Sequence, residues 1–162
     1  MSETIKCEAL TAAAFAPFGD VIDCAGDPDK IINAGLCGRY HDRAAMDFGS
    51  DGRAGISLFN ATPRSLPYTL DLMERHPEGS QAFIPMTEHG FLVTVATDLN
   101  GRPDTPRAFL TLAGQVINIY ANTWHGVLTP LQSPGLFAVV DRIGETPNLE
   151  EVFLDPPYVV VS

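Results

Sequence analysis

Glu74 and His76 stand two positions apart in the stretch ERHPEGSQAFIPM (residues 74–86). Gln81 follows in the same stretch, and His125 comes later, beside the only tryptophan. Imidazole nitrogens, one carboxylate and one amide oxygen are donors that suit a divalent first-row cation. Such an ion polarises a bound oxygen and lowers the pKa of a bound hydroxyl. The spacing is informative because side chains on a strand alternate between two faces. In YTLDLMERH one face carries Tyr68, Leu70, Leu72, Glu74 and His76, and the other carries Thr69, Asp71, Met73 and Arg75. The first face is apolar until its last two members. A carboxylate and an imidazole are therefore expected at the mouth of whatever the sheet encloses. A carboxylate placed there without partners is costly, and a cation or a polar pocket offsets that cost. The segment alone leaves a second reading open, in which both side chains are solvated where the strand leaves the sheet. His125 alone is equally compatible with a satisfied core or rim histidine.

A second cluster lies in GRYHD, where Arg39 suits a carboxylate clamp and His41 a proton transfer. The alternative there is a structural link of the same side chains to Asp42. His89 falls in a turn and reads as a surface residue. Arg64 and Arg75 are expected on the surface or in a dimer contact. Glu8, Glu145, Glu150 and Glu151 read as solvated charge.

The elements that must position these groups are short strands. AGISLFNA (54–61), LPYTLDLMERH (66–76), SQAFIPM (80–86) and GFLVTVATD (90–98) come first. RAFLTL (107–112), GQVINIYANTWHGVLTPL (114–131), GLFAVVDRI (135–143) and YVVVS (158–162) follow, with HPEG, LNGRPD and QSPG as punctuation. Many short strands at this spacing predict a sandwich or closed barrel rather than alternating strands and helices. One early helix is expected in AAAFA, capped by Thr11 and closed by Pro17 and Gly19. NLEEVF (148–153) predicts a second short helical turn, capped by Asn148 and stopped by Pro156 and Pro157. Residues 24–53 are the least regular stretch, and a loop of that length often serves function.

The 162 residues fit one domain, residues 1–162. The formal net charge is −10, so nucleic acid and anionic membrane surfaces are poor partners. An anionic small substrate would need a local arginine to overcome the mean field. No stretch approaches the length of a membrane-spanning helix, and the N-terminus lacks the apolar run of a secretory signal. Three cysteines without a CxxC spacing predict free thiols in a reducing cytoplasm.

Two stretches together resemble the paired motifs of the cupin superfamily of jelly-roll barrels. Glu74, His76 and Gln81 stand at the positions of the first motif's His, His and Glu. Gly114 and His125 keep the spacing of the second motif, with Tyr120 and Asn122 replacing its proline and glycine. The chain is also similar, over most of its length, to the ureidoglycolate lyase family. FAPFGDVI (15–22), INAG with RYHDRA (32–44), residues 56–86, FLVTVA (91–96) and NTWHGVL (122–128) carry that resemblance. Asn122 departs from a usual glycine, and Gly126 from a frequent second histidine.

The resemblance implies a mainly β, cupin-like jelly-roll barrel with a few short helices, a homodimer, and a divalent metal such as nickel. It implies cleavage of (S)-ureidoglycolate to glyoxylate and urea. The expected metal ligands are Glu74, His76, Gln81 and His125. His125 and His41 are the expected catalytic residues, with Arg39 and Gln81 contacting substrate. Two alternatives remain at this point: another metal-dependent cupin enzyme, such as a non-haem iron oxygenase, and a non-catalytic cupin that binds or senses glyoxylate or a related acid.

Overall fold

Turn residues cut this chain into short strands, and the computed structural model, which describes residues 1–162, shows how they close on one another. In chain order these are β1 (Thr4–Ala9), α1 (Ala12–Phe15), β2 (Gly19–Ile22), β3 (Lys30–Ile32), β4 (Cys37–Arg39), β5 (Arg53–Asn60), β6 (Tyr68–Arg75) and β7 (Gln81–Pro85). They continue as β8 (Phe91–Ala96), β9 (Asp98–Leu99), β10 (Arg102–Pro103), β11 (Arg107–Leu110), β12 (Val116–Ile119), β13 (Trp124–His125), β14 (Thr129–Pro130), β15 (Leu136–Ile143) and β16 (Glu150–Val161). One sheet runs β11–β1–β16–β6–β13–β8–β14, and a further β11–β8 pairing closes six of its strands into a mixed barrel. A second sheet runs β2–β12–β7–β15–β5. The fold is a mainly β, cupin-like barrel, as expected.

Two apolar clusters hold it together. Between the sheets, Phe83, Ile117, Ile119, Phe137 and Val139 of the five-stranded sheet pack with Phe91, Val93, Val95 and Phe109 of the closed one. Inside the closed sheet, Leu70, Met73, Leu92, Ala96, Ala108, Trp124 and Val160 are all nearly inaccessible. Full burial of one large apolar side chain contributes roughly 1.5–3 kcal/mol, so these clusters outweigh any surface ion pair. The helix forms where its cap predicts: the Thr11 hydroxyl accepts a hydrogen bond from the Ala14 N–H at 3.1 Å.

Several expectations are corrected. NLEEVF is not helical; from Glu150 the chain runs as β16, the longest strand, straight through Pro156 and Pro157. Its pairing with β6 shifts register between Phe153 and Tyr158, which is where prolines are tolerated in a sheet. The same shift breaks the expected alternation in β6. Met73 joins Tyr68 and Leu70 in one buried cluster, while Leu72 is only half-buried. The long stretch 114–131 is three short strands, β12, β13 and β14. Arg75 is not a surface residue. Its guanidinium stacks 4.5 Å from the Trp124 ring centre and binds Glu150 and Asp98, so Glu150 is exposed, as expected, and also paired. Glu8 is likewise paired, with Arg107 at 2.7 Å.

The irregular stretch 24–53 carries an exposed two-stranded hairpin, β3–β4, and then lies against the five-stranded sheet. The Ala45 N–H donates to Asp20, the Ala45 carbonyl accepts from Asn118, and the Asp47 N–H donates to the Ser80 hydroxyl. This anchors the turn between His76 and Gln81 from outside.

Candidate metal and active centre

Two sheets bring the expected residues together. β6 ends in Glu74 and Arg75, and His125 of β13 is the direct cross-strand partner of Glu74. His76 follows β6 at once, and its ring centre lies 5.2 Å from that of His125. From the five-stranded sheet, the Phe83 ring reaches within 6.4 Å of His125. Donor atoms of Glu74, His76 and His125 all lie within 4.8 Å of one another. Arg39 and His41 are not in this cluster; both are exposed, at the end of β4 and just beyond it. The His41 N–H donates to Asp29, which also pairs with Arg43, whereas the link to Asp42 considered from sequence is not seen.

The hydrogen bonds of the two imidazoles fix which nitrogen faces the cluster. Each Nδ1 lies against a carbonyl, which can only accept: Asn148 for His76 at 2.8 Å and Gly126 for His125 at 2.9 Å. Both rings therefore carry a proton on Nδ1 and turn Nε2 toward the cluster, where a neutral ring presents a lone pair. Both Nε2 atoms are buried and without a partner, and so is Gln81 Oε1. Only five buried side-chain polar atoms lack partners, and three belong to expected ligands. Orphaned acceptors cost stability unless something electropositive meets them. Neutral imidazole, carboxylate and amide oxygen are a fitting donor set for a divalent ion. Backbone carbonyls at the far nitrogens orient the rings as metal-binding histidines require.

The electrostatics agree. Burial pushes His125 down to about 4, the neighbouring His76 adds to this, and the Gly126 carbonyl opposes it. His125 is thus neutral near pH 7 and free to donate its lone pair. Burial raises the Glu74 carboxyl above its ordinary range, with His76 working against the shift and Glu151 adding to it. A depressed histidine makes folding proton-sensitive in a defined sense. Below pH 6.5 the unfolded chain takes up a proton that the folded chain refuses until about 4. Metal-free protein is expected to lose on the order of 3 kcal/mol as pH falls through that window. His125→Gln should flatten this dependence. Denaturant midpoints at pH 7 and pH 4.5 measure it, and equal slopes in both proteins contradict it.

The two departures beside His125 have physical explanations. Asn122 adopts a left-handed conformation, φ 64°, and its N–H binds the His76 carbonyl at 2.8 Å. Asparagine tolerates that conformation, so the turn keeps a shape glycine would also allow. Gly126 is tightly enclosed, since a Cβ there would lie 2.1 Å from Thr94 Oγ1. Gly126→Ala should therefore cost about 1–3 kcal/mol by overpacking. The loss should be smaller in a Thr94→Ala background, as read by chemical denaturation.

Sequence reasoning missed two residues. Asn148, read as a helix cap, instead pins the centre's rim. Its carbonyl accepts a hydrogen bond from His76 Nδ1 and its side-chain oxygen accepts one from the Glu78 N–H at 2.6 Å. Asp141 was not singled out, yet it follows the inward-facing Phe137 and Val139 on β15 and accepts from Gln81 Nε2 at 3.0 Å. The signal was the one that found Glu74, an apolar face ending in a carboxylate.

A family model described as Ureidoglycolate lyase matches residues 2–161. A protein named ureidoglycolate lyase from Rhodobacter capsulatus is 60% identical over 158 residues, covering 98% of each chain. One so named from Chelativorans is 49% identical, covering 96% of this chain and 95% of the relative. Ureidoglycolate lyase 2 of Rhizobium meliloti is 51% identical, covering 93% of each.

Proposed function

The chain belongs to the ureidoglycolate lyase family, and on that premise we propose that it cleaves (S)-ureidoglycolate to glyoxylate and urea in allantoin nitrogen recovery. One observation carries the assignment to the Glu74–His76–His125 centre. The imidazoles of His76 and His125 turn buried, unpartnered Nε2 atoms toward a half-buried carboxylate. The reaction needs that kind of surface. The substrate carries a carboxylate, a hydroxyl and a ureido nitrogen on one carbon. Lysis moves the hydroxyl proton away, breaks the carbon–nitrogen bond and returns a proton to the departing nitrogen.

Glu74, His76 and His125 would hold a divalent ion, nickel by family resemblance, with Gln81 Oε1 as a further ligand or a substrate contact. Such an ion supplies a Lewis acid that lowers the hydroxyl pKa. His125, kept unprotonated by burial, serves as a lone-pair donor rather than as the acid for the leaving nitrogen. Asn148 and Gly126 hold the two rings in the tautomer that this requires. The apolar walls around Phe83 and His125 limit water at the reacting carbon.

Arg39 and His41 enter this proposal through a homodimer. Carried on an exposed hairpin, they would clamp the substrate carboxylate and pass the proton at a neighbouring copy's centre. Exposed Ile56, Leu58 and Leu36 support a contact between copies. Light scattering should give twice the 17.5 kDa chain mass, and Arg39→Ala should slow turnover mainly through KM. A monomer, or an unaffected Arg39→Ala, removes these two residues from the mechanism. The single domain, residues 1–162, with three free cysteines, fits a cytoplasmic setting.

The activity is tested by supplying (S)-ureidoglycolate and assaying urea and ammonia separately. Urea without ammonia is the expected result. Ammonia with carbon dioxide indicates an amidohydrolase, oxygen uptake an iron oxygenase, and binding without turnover a sensor. Any of these overturns the lyase assignment.

A further inference from the structure

Gln81 is an amide, and an amide can present either a donor or an acceptor. Its neighbour removes that choice. Asp141, its direct partner across the β7–β15 ladder, accepts from Gln81 Nε2 at 3.0 Å. A carboxylate can only accept, so the amide nitrogen must turn to Asp141 and the oxygen must turn away. That oxygen, Oε1, is buried and has no partner. Gln81 lies on the same face of β7 as Phe83, whose ring adjoins His125. The chain thus holds an unsatisfied acceptor of fixed direction on the wall opposite the imidazoles.

We propose that Asp141 is a positioning residue that fixes Gln81 as an obligate acceptor for a ureido N–H of the substrate. This rests on the lyase activity proposed above. The ureido group is the only part of the substrate rich in N–H donors, and glyoxylate offers none. The pair therefore selects substrates with a urea-like leaving group and disfavours those that present a bare carbonyl or ester there. A buried acceptor left unpaired by the wrong substrate supplies the discrimination.

Three proteins test this: wild type, Asp141→Asn, and Gln81→Glu combined with Asp141→Asn. Asparagine in place of Asp141 lets the glutamine amide flip. The value of kcat/KM should then fall roughly tenfold, the worth of one hydrogen bond, and mainly through KM. Product inhibition by urea should weaken, while inhibition by glyoxylate stays. Adding Gln81→Glu reverses the pair: the new amide on β15 donates to one carboxylate oxygen on β7 and leaves the other facing the site. Urea release should recover most of the loss, and unchanged thermal midpoints separate that rescue from repair of a merely structural contact. Thermal midpoints and metal content are measured on the same preparations and should be alike in all three.

A double variant no faster than Asp141→Asn overturns the inference while wild type stays active. Metal lost in step with rate assigns the Gln81 oxygen to the ion and overturns it too. A wild type that releases no urea removes the activity and this inference together.

Discussion

His125→Ala should abolish urea release while leaving a folded barrel. The residue is 2% exposed, but it stands on a two-residue strand at the edge of the inter-sheet core rather than in its centre. Its removal takes one of three convergent donors from the cluster and leaves His76 Nε2 and Glu74 facing a gap. The loss should be at least the roughly 10²–10⁴-fold of a positioned acid or base, and larger where an essential ion goes with it. Measuring metal content and rate on one preparation separates the roles. Metal and rate falling together mark His125 as a ligand, the outcome expected for an imidazole that stays neutral down to about pH 4. Rate lost with metal retained would instead assign it proton transfer. Wild-type urea release from a folded variant would falsify both.

Glu74→Gln should lose activity and gain stability. The substitution keeps shape but removes the only carboxylate of the donor triad. Divalent-ion affinity should fall by at least about tenfold, since even groups that only orient a ligand cost 10–100-fold. The stability change has a definite sign. Burial raises the Glu74 pKa, so the folded chain holds its proton longer than the unfolded one. Stability is then lost as pH rises from the unfolded pKa through the folded one, and the penalty is complete above the folded pKa. Glutamine does not titrate, so metal-free Glu74→Gln should unfold at higher denaturant than metal-free wild type at pH 7. A variant that is both less stable and fully active contradicts the assignment.

How far the sequence reaches is clear at particular residues. Turn residues and alternation placed most strands within a few positions, because Gly, Pro and Asn act locally. Alternation put Glu74 and His76 on the face of Tyr68 and Leu70, but that face passes to Met73, and the cross-strand pairing with His125 is what places Glu74 in the centre. Closure of the sheet was not legible strand by strand. β1, TIKCEA, alternates weakly and pairs in parallel with β11 and β16, partners about a hundred residues or more away. NLEEVF has the local preferences of a helix, but long-range pairing with β6 made it a strand. Arg75 looked like surface charge because a cation stacked on Trp124 has no local signature. Asn148 and Asp141 act through residues distant in sequence, His76 and Gln81, and only the folded registers bring those pairs together. Arg39 and His41 were chosen for chemistry alone, without a strand pattern to aim them.

The most direct measurement of the central claim is a crystal structure grown with nickel and glyoxylate. The ion is expected among His76 Nε2, His125 Nε2 and the Glu74 carboxylate, with glyoxylate against it and Gln81 Oε1 on the facing wall. Glyoxylate bound elsewhere in active protein, with neither ion nor product at these three residues, would contradict the assignment of the centre.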